Sequence, residues 1–125
     1  MAKRLFELAS KGGSITARNN LAWLLSTSVK ASVRDGAKAI KLIRPIAYLY
    51  NNWSYFETFA AALAEAGNFT SARDAQTHAI SLAKNADIPP TQAKLNEMNE
   101  RLKLFSNDMP FRELDASYRG KKTDR

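Results

Sequence analysis

Apolar side chains recur along this chain at intervals of three and four residues, and turn signals cut the pattern into helix-length blocks. The clearest block spans about 53–66, where Phe56, Phe59, Ala60 and Leu63 stand at i, i+3, i+4 and i+7 and share one face of a helix. Glu65-Ala66-Gly67-Asn68 closes it, and the block 69–84 repeats the spacing with smaller side chains at Ala72, Ala75 and Ala79. No segment alternates apolar and polar residues, and β-branched residues are sparse, so the expected fold class is all-α.

Six helices are predicted in all. The first, 2–10, stops at Lys11-Gly12-Gly13; the second runs from a Ser14 N-cap to about Leu25, where Ser26-Thr27-Ser28 breaks it. The third starts at an Asp35 cap and runs to about Tyr48, and Pro45 within it is expected to kink it or end it near Arg44. The fourth and fifth are the blocks 53–66 and 69–84. After the linker Asn85-Ala86-Asp87-Ile88-Pro89-Pro90, the sixth, 91–105, puts Leu95, Met98, Leu102 and Phe105 on one face and Glu97, Glu100 and Arg101 on another. Beyond Asn107-Asp108-Met109-Pro110 an ordered hook is expected at Phe111, and the chain divides into a domain over 1–112 and a flexible basic tail over 113–125.

The blocks repeat. Ala22 and Leu25 recur as Ala60 and Leu63 at an offset of 38, while Ala39 and Ile46 recur as Ala72 and Ala79 at an offset of 33. The difference falls in 26–34, an exposed turn in which extra residues cost little loop entropy. The stretches Arg18–Ser28 with Val33–Ala39, and Phe56–Ala72, resemble a bacterial variant of the tetratricopeptide repeat, whose period is roughly 34 residues. Repeats at about 15–48 and 53–84, with 91–105 as a capping helix, imply an α-solenoid of antiparallel helical hairpins. Three positions depart from the family pattern: Arg18 and Gln76 stand where a large apolar residue is usual, and Lys84 where a closing proline is.

The resemblance implies a non-catalytic scaffold that binds a peptide or helix of another protein along a concave groove lined by the first helix of each unit. Carried over by position, the groove residues are Thr16, Asn19 and Trp23, with Ser54, Glu57 and Ala61. The Asn19 carboxamide both donates to and accepts from a peptide backbone, or else it cross-links helices. Trp23 is either the wall of an anchor pocket or packs against a neighbouring helix. These positions lack the lysines and arginines of a carboxylate clamp, so capture of acidic C-terminal tails is not expected. Two repeats are close to the smallest self-standing stack, which favours a partner chain, a homo-oligomer or a longer parent protein.

Charge adds an alternative. The net charge of +7 is concentrated at 1–18, 30–44 and 117–125. Arg34, Lys38 and Lys41, at i, i+4 and i+7, form a basic docking patch on which a second reading rests: a helical module that binds nucleic acid or an acidic surface through 34–44 and the tail. The charge is split among separate segments, so nucleic acid is not the expected partner. Neither is a small-molecule substrate. His78 stands alone on an outer helix, no phosphate-loop spacing occurs, and cysteine is absent, so no catalytic residue, metal site or cofactor is expected. The basic start of the chain is broken by Glu7 and lacks the apolar core of a signal peptide. Location is left open, cytoplasmic by default and periplasmic if a signal precedes this sequence. No run of about 18 apolar residues is present to span a membrane.

Overall fold

The computed structural model describes residues 14–113, and among them it contains five α-helices and no β-strand. They are α1 (Ile15–Thr27), α2 (Gly36–Tyr50), α3 (Trp53–Glu65), α4 (Phe69–Lys84) and α5 (Gln92–Ser106). The helix expected over 2–10 lies outside the described residues, as does nearly all of the expected tail.

Every helix starts on a small polar side chain that accepts from an otherwise unpaired backbone N–H. Ser14 accepts from Ala17 at 3.0 Å, Asp35 from Lys38 at 3.0 Å, Asn52 from Ser54 at 2.8 Å, Asn68 from Ser71 at 3.3 Å and Thr91 from Lys94 at 3.1 Å. The ends follow an equally local logic. After α3, Gly67 takes a left-handed φ of 87°, and Asn68 and Gly67 donate back to Leu63 and Ala64 at 2.9 and 3.0 Å. This paired arrangement turns the chain within three residues and sends α4 back along α3.

Two expected boundaries move. Helix α1 continues through Ser26 and Thr27 because their hydroxyls donate to the carbonyls of Ala22 and Trp23, at 2.7 and 2.8 Å, and so stay satisfied while buried. Helix α2 does not end near Arg44: it passes Pro45 and reaches Tyr50. Proline inside a helix costs about 3 kcal/mol. Ala39, Ile43, Ile46 and Ala47 lie on both sides of it, all at 0 % exposure, and burying two isoleucines alone offsets that cost at roughly 1.5–3 kcal/mol each. The helix stops instead at Asn51, whose left-handed φ of 48° ends α2 one residue before Asn52 caps α3.

Helix α3 is the hub. It packs against α1, α2 and α4, while α5 packs on α4. Residues Phe56 through Ala64 are buried without a break, which is possible because four of the nine are alanine and leave room for neighbours on every side. Ala60, Ala72 and Ala79 are all at 0 % exposure. Gln76, at a usually apolar position, is also fully buried, and its Nε2 donates to the Met98 carbonyl at 2.9 Å, so the amide ties α4 to α5. Among the described residues no helix is long and apolar enough to cross a membrane.

The tightest approach is backbone to backbone. A methyl group built on Gly36, the first residue of α2, would lie 2.8 Å from the Ala66 nitrogen and 3.1 Å from the Glu65 carbonyl carbon. Alanine in place of helical glycine ordinarily stabilises by about 0.5–1 kcal/mol. Here the sign should reverse: Gly36→Ala is expected to destabilise the fold by about 1–3 kcal/mol, as overpacking does. Urea unfolding measures it, and an unchanged or higher midpoint would show that α2 and α3 are not pressed together at this point.

Candidate functional site

Glu57 is the one acidic side chain in the buried run of α3, and at 4 % exposure its carboxylate needs partners. Helix α5 supplies both. Arg101 reaches Glu57 Oε2 through Nη1 at 2.5 Å, and Lys94 reaches Oε1 through Nζ at 3.0 Å. The two cations are seven residues apart, two turns along one face of α5, with Glu97 between them at 3.8 Å from each. Arg101 is itself only 8 % exposed. Its guanidinium lies 5.1 Å from the ring centre of Trp23 on α1 and 4.4 Å from that of Phe111, within cation–π range of both.

Phe111 arrives there because α5 ends in a fixed turn. Asp108 takes a left-handed φ of 55°, Met109 donates to Leu104 at 2.9 Å, and Arg73 of α4 braces the corner by donating to the Phe105 carbonyl at 3.0 Å. Beyond Pro110 the chain crosses to the end of α1. The Phe111 ring packs 5.8 Å from that of Trp23, Arg112 pairs with Glu65 at 2.7 Å, and Glu113 N donates to the Thr27 carbonyl at 2.9 Å. The Glu113 carboxylate accepts from the indole N–H of Trp23, and Glu113 forms an isolated parallel bridge with Ser28. Side chains of α1, α3 and α5 thus converge on one face, and the segment Phe111–Glu113 lies across its far end.

The near end is open. Thr16, Asn19 and Trp23 of α1 face Ser54 and Glu57 of α3 across a cavity of about 420 Å³. Five of the six expected groove residues therefore stand on one wall or another of the same pocket, although the Glu57 carboxylate is already committed to α5. Ala61 does not line this pocket and is 3 % exposed, inside the packed run of α3. Asn19 Oδ1 is buried and has no hydrogen-bond partner among the described residues.

Comparison with protein-family models, curated proteins and solved structures yields no match.

The other expected residues separate. Arg34 precedes helix α2, so it does not extend the helical row of Lys38 and Lys41. Its Nη1 donates to the Ser28 carbonyl at 2.8 Å and its Nε sits 3.4 Å from Glu65, whereas both lysines are exposed. His78 is exposed on α4, where Nε2 bonds Asn51 Oδ1 at 2.8 Å and the ring stands edge-on to Phe56. Lys94, Arg101 and Phe111–Glu113 were not expected in the groove. One acid within an apolar block signals that a cation must come to it, but not which residue supplies it.

Removing one partner from a buried ion pair costs about 3–5 kcal/mol, because the other charge is left without compensation. Arg101→Ala also removes the guanidinium from between two rings, and should lose stability by that amount in chemical denaturation. Lys94→Ala, at a half-exposed site, should lose no more than about 1 kcal/mol. Equal losses in the two variants would show that Arg101 is not the tie between α3 and α5.

Proposed function

We propose that this chain is a non-catalytic adaptor of tetratricopeptide-repeat type, an α-solenoid of antiparallel hairpins that binds an extended peptide of a partner protein in the groove along α1, α3 and α5. The observation that carries the reading is the polar pocket between the first halves of α1 and α3, where Thr16, Asn19 and Ser54 stand around one opening. A carboxamide on the wall of that opening suits a peptide, since it can both donate to and accept from a main chain without reading the side chain. The short turn between α3 and α4, and the close packing of α3 on both α1 and α2, support pairing of the helices into stacked hairpins.

The Glu57 carboxylate, which lines the pocket, is already paired with Arg101 and Lys94, so it serves to hold α5 on α3. The basic patch gives the nucleic-acid reading less support, because Arg34 is spent on Glu65 and Ser28, leaving Lys38 and Lys41.

Peptides selected from a random display library on the immobilised protein provide the test. Their affinity for a Thr16→Ala/Asn19→Ala variant should fall at least about tenfold, a loss of about 1.4 kcal/mol, while the melting temperature stays unchanged, because Thr16 is exposed and Asn19 half-buried. Selected peptides that bind the variant as well as the native chain would remove the groove from the proposal.

A further inference from the structure

Resting on the groove reading, we propose that Phe111-Arg112-Glu113 is an intramolecular ligand, and that the far half of the groove is a site for a partner's extended segment of the same chemistry: an aromatic residue, then a basic one, then an acidic one. Each element of that triplet meets a complementary group. The ring lies against the Arg101 guanidinium at 4.4 Å and against Trp23, the base against Glu65 at 2.7 Å, and the acid against the indole N–H of Trp23. The main chain is held as a peptide ligand is held, by one bond from Glu113 N to the Thr27 carbonyl at 2.9 Å, an acceptor at the last residue of α1.

The helical body does not need the segment to keep its charges paired. Without Phe111, Arg101 still has Glu57 at 2.5 Å; without Arg112, Glu65 still has Arg34 at 3.4 Å. Residues 111–113 are half-buried, whereas the groups that receive them, Trp23 and Arg101, are buried. A socket whose charges stay paired when its occupant leaves can exchange that occupant. The turn at Asn107–Asp108, braced by Arg73, holds the built-in copy at high local concentration, so an outside peptide competes at a disadvantage set by the fraction of time the segment is docked.

The experiment uses a fluorescein-labelled peptide of residues 109–115, read by anisotropy against the full native chain and against the full chain carrying Phe111→Ala/Arg112→Ala. The double variant should bind the peptide, the native chain should bind it about tenfold more weakly if its own segment is docked roughly nine-tenths of the time, and a peptide with alanine in place of phenylalanine should bind neither. Should the double variant lose helical content by circular dichroism, Arg112→Glu keeps the Phe111 anchor, sets like charges together at Glu65, and is read in the same way. Equal affinity for native and folded variant chains, or no binding to the folded variant, would overturn the proposal. So would a native dimer that becomes monomeric in the variant by sedimentation, because the segment would then be traded between copies. Display-selected peptides that still depend on Asn19 while the 109–115 peptide fails would overturn this inference and leave the adaptor reading standing; the reverse pattern would overturn the adaptor reading at the Asn19 pocket.

Discussion

The fold closes around the pairing of Glu57 with Arg101. An acid in the middle of the buried helix α3 is costly by itself, and the penalty falls only if a cation comes to it with good geometry. The 2.5 Å contact from Arg101, seconded by Lys94, fixes both the distance and the rotation of α5 relative to α3, although α5 takes its main packing from α4. Held there, Arg101 offers its flat face to aromatic rings, and Trp23 from α1 and Phe111 from beyond α5 lie against it. One ion pair thereby brings three helices and the chain end to a single point.

That pairing acts on a frame set by small side chains. Alanine at 60, 72 and 79, all at 0 % exposure, and glycine at 36 let backbones approach until little space is left between them. Small residues contribute modestly to burial one at a time; their effect is geometric, since they set how near the larger side chains of adjacent helices come to each other. The aromatic contacts among Tyr48, Phe56 and Phe59, with centroids 5.7–6.4 Å apart, follow from that closeness.

The five described helical blocks, the caps at Ser14 and Asp35 and the buried alanines were legible in the sequence because they rest on local rules: spacing on one helix and a polar residue before it. The same rules misplaced the ends of α1 and α2. Ser26 and Thr27 look like breakers until burial turns their hydroxyls back on the preceding turn, and Pro45 looks like a stop until the buried isoleucines around it are counted. At the site, Thr16, Asn19 and Trp23 share one face of α1 and Ser54 and Glu57 one face of α3, and helical register of that kind is local. What register could not supply was the long-range part. Arg101 reads as a surface arginine beside Glu97 and Glu100, and only the return of the chain past Asp108 sets Phe111 on it and Arg112 on Glu65. Pairings across 44 or more positions, such as Glu57 with Arg101 or Thr27 with Glu113, leave no periodic trace.

The two ends of the groove differ in what a ligand would have to displace. At the Asn19 end the walls are polar and the space is open, so occupancy there disturbs none of the packing of α3. At the Phe111 end a ligand must take the place of a ring packed on Trp23 and Arg101, an ion pair with Glu65, the Glu113 carboxylate on the Trp23 indole N–H and a main-chain hydrogen bond to Thr27. That exchange leaves no buried charge unpaired, since Arg101 keeps Glu57 and Glu65 keeps Arg34, whereas loss of Arg101 would strand Glu57. Trp23 touches both ends, lining the open pocket and packing on Phe111, so a peptide long enough to pass it would feel whether the built-in segment is in place.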